Sequence, residues 1–494
     1  MKLNIVTLAV GMSIPGVVHA QQLKPAWEFL VNQPGSPIPV LTNALNGWTT
    51  DNETGDGKSV LDSLGALQRY DTNRLLLAIR ENGIDESAAS ATQKALAAQY
   101  PDRSLIWINP TDGAPMGLAL NIGLTPVPLD ADFVAAGGTP DQYWWTYAVS
   151  SDGYVYSGYK NKILRYDPDG KGGLDPAPHV VFTLKEDDLS TYSIDPTLWA
   201  GWRWKSLRVT GTGANRKLLA GASASNRGAF LLTTTDGNTF SAGSWLNLGG
   251  GISTPVPGGD PAAPDDLWVY GGIYPGNSNG ADSSYSRYIA TPPFTDNFTR
   301  DSNFTAPADT NSTNDIRYRA DFIGDVDANA AVPYLATYST PSWNSRAISI
   351  PDPRPGWLAL ATPDGTFVSA RELKVTEDVE LLPTDQAADF QGTVGFVQLN
   401  KLTDGTIEVL WSGTIYGYGR YLVQTTGPSL SYGLSGKVAT IGWGPEANGY
   451  TLETTASLSG TPAWSTVGVI GQGNLTSSYT LPSTPAGQFY RLKK

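Results

Sequence analysis

The side chains best suited to metal chemistry are the carboxylates of Asp167-Pro-Asp169-Gly-Lys171-Gly-Gly-Leu-Asp175, at the first, third and ninth places of a glycine-rich loop. Hard oxygen donors so spaced are the chemistry of calcium, which makes Asp167, Asp169 and Asp175 the candidate metal ligands and calcium the one cofactor considered. Lys171 at the fifth place and Pro178 at the twelfth weigh against it, and a solvated hairpin is the other reading of this loop. The chain has no cysteine and two histidines, His19 and His179. This excludes thiolate nucleophiles, cysteine metal sites and multi-histidine zinc or copper centres. A Ser-His-Asp arrangement would have to use His179, which opens an apparent strand and reads as a surface or structural residue.

Aromatic side chains offer a second chemistry. A flat ring matches the apolar face of a sugar, so Trp202, Trp204, Trp144, Tyr416 and Tyr418 are candidate platform residues. Packing between sheets is the competing reading of the same residues. The 46 acidic residues could supply a carboxylate pair for glycoside hydrolysis without any histidine, but spacing alone does not single out a pair.

These groups must be held by short β-strands. Apolar and aromatic runs bounded by Gly, Asn, Asp and Pro recur along the chain. Asp-Gly stands at 112–113, 152–153, 169–170, 236–237, 364–365 and 404–405, where both residues would tolerate the positive φ of a tight hairpin turn. Serial hairpins with few helices predict an all-β chain, and the length suits a β-propeller, in which each blade packs only on its neighbours. Tyr143 to Lys185 reads as four successive strands. Similar groups lie near 63–120, 202–248, 267–294, 316–375 and 393–424, giving about six blades, with seven also admitted by the irregular spacing. The last group offers three strands, and Ala26–Val31 is an isolated strand that would complete it and close the ring. A helix is expected between Glu86 and Tyr100, ended by Pro101.

Residues 1–20 follow the pattern of a signal peptide, with Lys2, an apolar stretch from Leu3 to Val18, and small Ala20 before Gln21. The expected organisation is a signal peptide over 1–20, a propeller over 21–430 and a small β-sandwich over 434–494. Export to the cell surface, the medium or the periplasm follows from it. No other stretch is long and apolar enough to span a bilayer as a helix. Losing Lys2 would take the net charge from -13 to -14, which disfavours nucleic acid and anionic lipid as partners.

Two resemblances sharpen this picture. Leu231-Leu-Thr-Thr-Thr-Asp-Gly-Asn-Thr-Phe240 resembles the Asp-box turn of sialidase-like propellers, with Thr233 in the Ser position, Thr235 in place of the Asp, and Gly237, Thr239 and Phe240 matching. The resemblance implies a propeller turn, remote from any active site. The segment Gly449-Tyr450-Thr-Leu-Glu453, with Trp464 and a closing Phe489-Tyr490-Arg491-Leu492, resembles a C-terminal sandwich module of exported proteins from Verrucomicrobia and related bacteria. That implies a bacterial, exported context and no activity. The leading expectation is a non-catalytic propeller that binds a glycan, peptide or surface partner through loops at one mouth. The alternatives are a carbohydrate-active enzyme with a carboxylate pair in the central cleft, and a purely structural surface protein.

Overall fold

The computed structural model describes residues 22–30, 64–79, 91, 94–95, 98–140, 147–222, 228–247, 256–260, 263–272, 285–294, 296–302, 323–326, 335–339, 356–361, 367–373, 395–413, 417–424, 430–435, 438–443, 450–455, 463–471, 475, 478–481 and 489–493. These form strands throughout, with two short α-helices, α1 (Ala131–Ala135) and α2 (Glu186–Thr191). Of the helix expected before Pro101, residues 91, 94 and 95 are described and helical, and Ala98 N–H bonds the Lys94 carbonyl at 3.0 Å. No helix among the described residues is long and apolar enough to cross a membrane. The chain divides into two compact units, one spanning Leu23–Val423 and one containing Gln424–Lys494.

The first unit holds six four-stranded antiparallel sheets. Sheet 1 is β2 (Leu64–Arg69), β3 (Leu75–Ile79), β4 (Ser104–Ile108) and β5 (Pro115–Asn121). Sheet 2 is β6 (Tyr147–Val149), β7 (Val155–Tyr159), β8 (Lys162–Tyr166) and β9 (His179–Thr183). Sheet 3 is β10 (Trp204–Thr210), β11 (Lys217–Ala222), β12 (Gly228–Thr234) and β13 (Phe240–Asn247). Sheet 4 is β14 (Val256–Asp260), β15 (Ala263–Gly272), β16 (Tyr285–Ala290) and β17 (Thr299–Arg300). Sheet 5 is β18 (Ile323–Val326), β19 (Leu335–Ser339), β20 (Gly356–Ala361) and β21 (Phe367–Leu373). Sheet 6 is β22 (Gly395–Lys401), β23 (Ile407–Gly413) and β24 (Gly417–Gln424), with β1 (Gln22–Leu30) as its fourth strand beside β24. The isolated N-terminal strand thus pairs with residues some four hundred positions later.

Strand β3 reads as a continuous apolar run because its sheet is covered on both faces. All five residues of β3 are buried: Leu75, Leu77 and Ile79 pack towards sheet 6, Leu76 and Ala78 towards sheet 2. In β7, Val155 and Tyr159 face sheet 1 while Tyr156 faces sheet 3. The period-two alternation of a strand here divides residues between two cores. Each Leu or Ile so buried contributes about 1.5–3 kcal/mol relative to exposure.

Successive sheets meet in a closed cycle. Strand β22 lies against β2, β2 against β6, β6 against β10, β14 against β18, and β18 against β22. Sheets 3 and 4 share the cluster of Leu219, Ala229 and Leu246 with Tyr288 and Phe298. Two glutamines stitch first strands together in the same way. Gln398 Oε1 accepts from Arg69 N–H at 2.7 Å, and Gln68 accepts from Val149 N–H at 3.1 Å while donating to the Tyr147 carbonyl.

The second unit holds two three-stranded sheets. One is β25 (Ser431–Ser435), β26 (Val438–Gly442) and β29 (Ser478–Thr480); the other is β28 (Ser465–Val469), β27 (Thr451–Thr455) and β30 (Phe489–Lys493). They bury one core of Ile441, Trp443, Leu452, Ile470 and Leu475. Glu453 and Arg491 of the resembling motif are cross-strand partners joined by a 2.8 Å hydrogen bond. Arg491 also lies 4.1 Å from the ring centroid of Trp464.

Candidate functional site

Antiparallel order brings the first-to-second and third-to-fourth turns of every sheet to the same end. All five described Asp-Gly turns are of this kind: 112–113 joins β4 to β5, 152–153 β6 to β7, 169–170 β8 to β9, 236–237 β12 to β13, and 404–405 β22 to β23. Contacts between sheets tie the turns of sheets 2 and 3 together: Arg216 reaches Asp152, and Arg165 reaches Asn238 at 2.9 Å. Arg74 reaches the Gly172 carbonyl from the first turn of sheet 1.

The turns are built differently from the tight hairpin expected. Only the glycine is left-handed, with φ of 75°, 86°, 70°, 76° and 84° at Gly113, Gly153, Gly170, Gly237 and Gly405. Four of the aspartates instead accept from the amide two residues on: Asp112 from Ala114, Asp169 from Lys171, Asp236 from Asn238 and Asp404 from Thr406. A short carboxylate completing its own turn is an Asx turn, and the glycine supplies the reversal that a side chain resists. Amide donors favour the ionised form, so the Asp169, Asp236 and Asp404 carboxyls are held below the usual aspartate range. In the Asp-box-like segment the carboxylate comes from Asp236, one residue beyond the register expected at Thr235, with Thr234 Oγ1 donating to it at 2.9 Å. Phe240 is buried edge-on to Tyr156.

Two arginine-aromatic stacks stand between these turns. At sheet 1, the Arg74 guanidinium lies 4.9 Å from the Tyr70 ring centroid and 4.3 Å from that of Trp107. The two rings meet edge-on at 4.8 Å, and Arg74 is fixed by Asp71 at 2.6 Å. All three side chains are half-buried. Between sheets 2 and 3, Arg165 and Arg216 lie 4.8 and 4.9 Å from the Tyr154 ring, bound to Asp167 and Asp152 respectively. Stacking of this kind presents planar, amphipathic surface to a partner. Deeper in the seam between sheets 6 and 1, fully buried Glu408 binds Arg69 and Arg420, with Asn400 donating to it at 3.0 Å. On the inner strands, Arg208 of β10 donates at 3.2 Å to the Val397 carbonyl of β22, three places round the cycle.

The sequence-derived platform is corrected by burial. Trp202, Trp204 and Tyr418 are 0%, 2% and 0% exposed, so none offers a ring face to solvent. Packing wins because Trp202 and Trp204 sit beneath the β9–β10 connection against Phe230, while Tyr418 packs on Trp27 and Phe29 and donates to the Gly113 carbonyl. Trp144 and Tyr416 lie outside the described residues. The calcium-like loop does not converge either: Asp167 binds Arg165, Asp169 accepts turn amides, and Asp175 accepts from Ala177. Among the described residues no group of three metal-ligating side chains gathers. His179 is exposed, with Nε2 3.7 Å from Asp167. The half-buried rings that do reach the mouth were missed because Trp107 sits in Leu-Ile-Trp-Ile-Asn-Pro, which reads as ordinary core. Its signal was a large aromatic one residue before the end of a strand that leads into a turn.

No protein-family model and no curated protein matches the sequence. Among solved structures the chain is similar to a Trichoderma reesei carbohydrate-active enzyme of family AA12, at 12% identity and TM-score 0.38, over 74% of this chain and 94% of that one. It is also similar to the GH43_1 enzyme from Xanthomonas citri complexed with xylose, at 11% identity and TM-score 0.32, over 62% and 94%. A Cellvibrio cellulosa alpha-L-arabinanase mutant matches at 8% identity and TM-score 0.31, over 59% and 92%. Likeness at these scores carries no functional argument.

Proposed function

We propose that the first unit is a six-bladed β-propeller, that the second is a β-sandwich module, and that the chain is an exported protein binding a glycan without turning it over. Six four-stranded sheets in a closed cycle, sealed by the N-terminal strand, support the ring. The binding reading is carried by one observation: the Asp-Gly mouth presents half-buried Tyr70 and Trp107 under the Arg74 guanidinium. An aromatic pair carrying a guanidinium across its face combines apolar and hydrogen-bonding surface, and this suits a sugar ring better than a nucleic acid, which the net charge of -13 repels.

Glycoside hydrolysis needs an acid held protonated beside an ionised partner. Every described carboxyl whose pKa moves is lowered: Asp130, Asp169, Asp195, Asp236, Asp404 and Glu453. The carboxylates of this mouth serve turns and arginines, which favours binding over hydrolysis. Affinity electrophoresis through gels containing neutral polysaccharides tests the site. Retardation of the wild-type chain that is lost in Trp107→Ala and kept in Trp202→Phe supports it; equal retardation of all three places the binding elsewhere.

A further inference from the structure

Charge is divided unevenly between the two units. Residues 424–494 carry four basic side chains, Lys437, Arg491, Lys493 and Lys494, against two acidic ones, Glu446 and Glu453. That leaves 29 of the 33 basic and 44 of the 46 acidic residues to positions 1–423. The second unit is therefore positive on a chain of net charge -13, and three of its four cations stand on or next to its last strand, β30.

Alternation along the sheet of β27, β28 and β30 decides what those cations face. Leu452, Val467, Tyr490 and Leu492 pack in the sandwich core, which puts Glu453, Arg491 and Lys493 on the opposite face. There the Glu453 side chain is sunk to 7% exposure, with Arg491 Nη2 at 2.7 Å and Lys493 Nζ at 3.5 Å from its carboxylate, while the two cations stay 43% and 61% exposed. The negative charge lies below and the positive charges above, so the face turns positive charge to solvent. Glu453 also steadies the Arg491 guanidinium 4.1 Å from the ring centroid of half-buried Trp464, beside exposed Ser465 and Thr466.

We propose that this face is a second binding site, for an acidic polysaccharide, in which Lys493 and Arg491 meet the carboxylates of uronic acid residues and Trp464 packs against a sugar ring. Complementary charge selects an anionic partner, and a guanidinium matches a carboxylate in shape as well as charge. A lipid surface would call for apolar side chains that insert, and among the described residues the large exposed ones, Met116, Leu118, Leu124, Val134 and Val180, all lie in the first unit. A nucleic acid is held mainly through its phosphates, about six to ten of them in a binding protein. The second unit has four cations in all.

Surface plasmon resonance of the full chain over immobilised polygalacturonate tests the proposal. The wild-type protein should bind and should be released as sodium chloride is raised. Lys493→Gln should weaken binding about two- to fivefold, and Trp464→Ala about three- to tenfold. Lys24→Gln, the same change of charge at an exposed position of the first unit, should leave binding as it is. Because Lys493 is exposed, its variant keeps the test decisive even if Trp464→Ala fails to fold. No binding by the wild-type chain, or binding that Lys493→Gln keeps in full, would overturn the proposal. So would binding to phosphatidylglycerol vesicles, weakened by Lys493→Gln, in place of binding to polygalacturonate. The mouth of the first unit is tested with neutral polysaccharides, so either reading can fail alone.

Discussion

Two seams of the same ring both bury apolar cores but differ in what is set within them. Between sheets 6 and 1 the apolar core carries directional polar bonds: buried Glu408 grips Arg69 and Arg420, Ser412 donates to the Gly65 carbonyl, Tyr418 to that of Gly113, and the Trp27 indole to that of Pro110. Between sheets 2 and 3 the joint is aromatic, with arginines at the mouth and indoles inside. The first seam is where the first unit closes on itself, so it must select one partner strand and one register. Directional bonds do that better than apolar area, which is indifferent to small shifts.

Glu408→Gln strikes the polar seam hardest. It leaves two half-satisfied guanidinium groups facing a neutral amide, and removing one partner of a buried pair costs about 3–5 kcal/mol. The urea midpoint should fall accordingly, and an unchanged midpoint would mean that the network adds nothing. Crowding probes the two seams with matched changes. Gly113→Ala puts a Cβ 2.5 Å from the Phe29 ring at φ of 75°, and Gly158→Ala puts one 2.6 Å from the Trp204 Cβ. Each should lose about 1–3 kcal/mol in chemical denaturation. Gly158→Ala should also red-shift tryptophan emission, which Gly113→Ala should leave alone at the indoles around Phe230. A smaller effect belongs to Tyr418→Phe, which deletes one buried hydrogen bond and should cost about 1 kcal/mol in the same titration.

The mouth itself should show in the pH dependence. Asp169, Asp236 and Asp404 have folded pKa values below the usual aspartate value of about 3.9. Their contribution is therefore in place above that value and is lost as pH falls through the lower folded values. Thermal unfolding should be flat in this contribution above about pH 4 and weaken below it, and Asp236→Asn should make the acid limb shallower.

Much of the ring was legible in the sequence because turn chemistry and period-two alternation are local. The Asp-Gly positions, the four strands within 143–185 and the joining of the N-terminal strand to the last group all follow from such signals, and β1 beside β24 realises the last. Sheet 4 was read short at both ends, since β14 is Val-Pro-Gly-Gly-Asp and β17 only two residues. The site was less legible. Whether a tryptophan faces solvent or a neighbouring sheet depends on which core its side of the strand meets, and that is fixed by residues far away in sequence. Trp204 and Trp107 look alike locally, yet the first packs against Gly158 and Phe230 and the second stops at the mouth. The pairing of Arg74 with Gly172, 98 positions apart, carries no sequence signal at all.

The central claim is binding without turnover at the Asp-Gly mouth, and one experiment addresses both halves. The purified chain is incubated with a panel of neutral polysaccharides, and retained protein and released reducing ends are measured in the same samples. Retention on at least one polysaccharide with reducing ends at the level of the protein-free control is the predicted result. A rise in reducing ends above that control would contradict it and make this chain an enzyme.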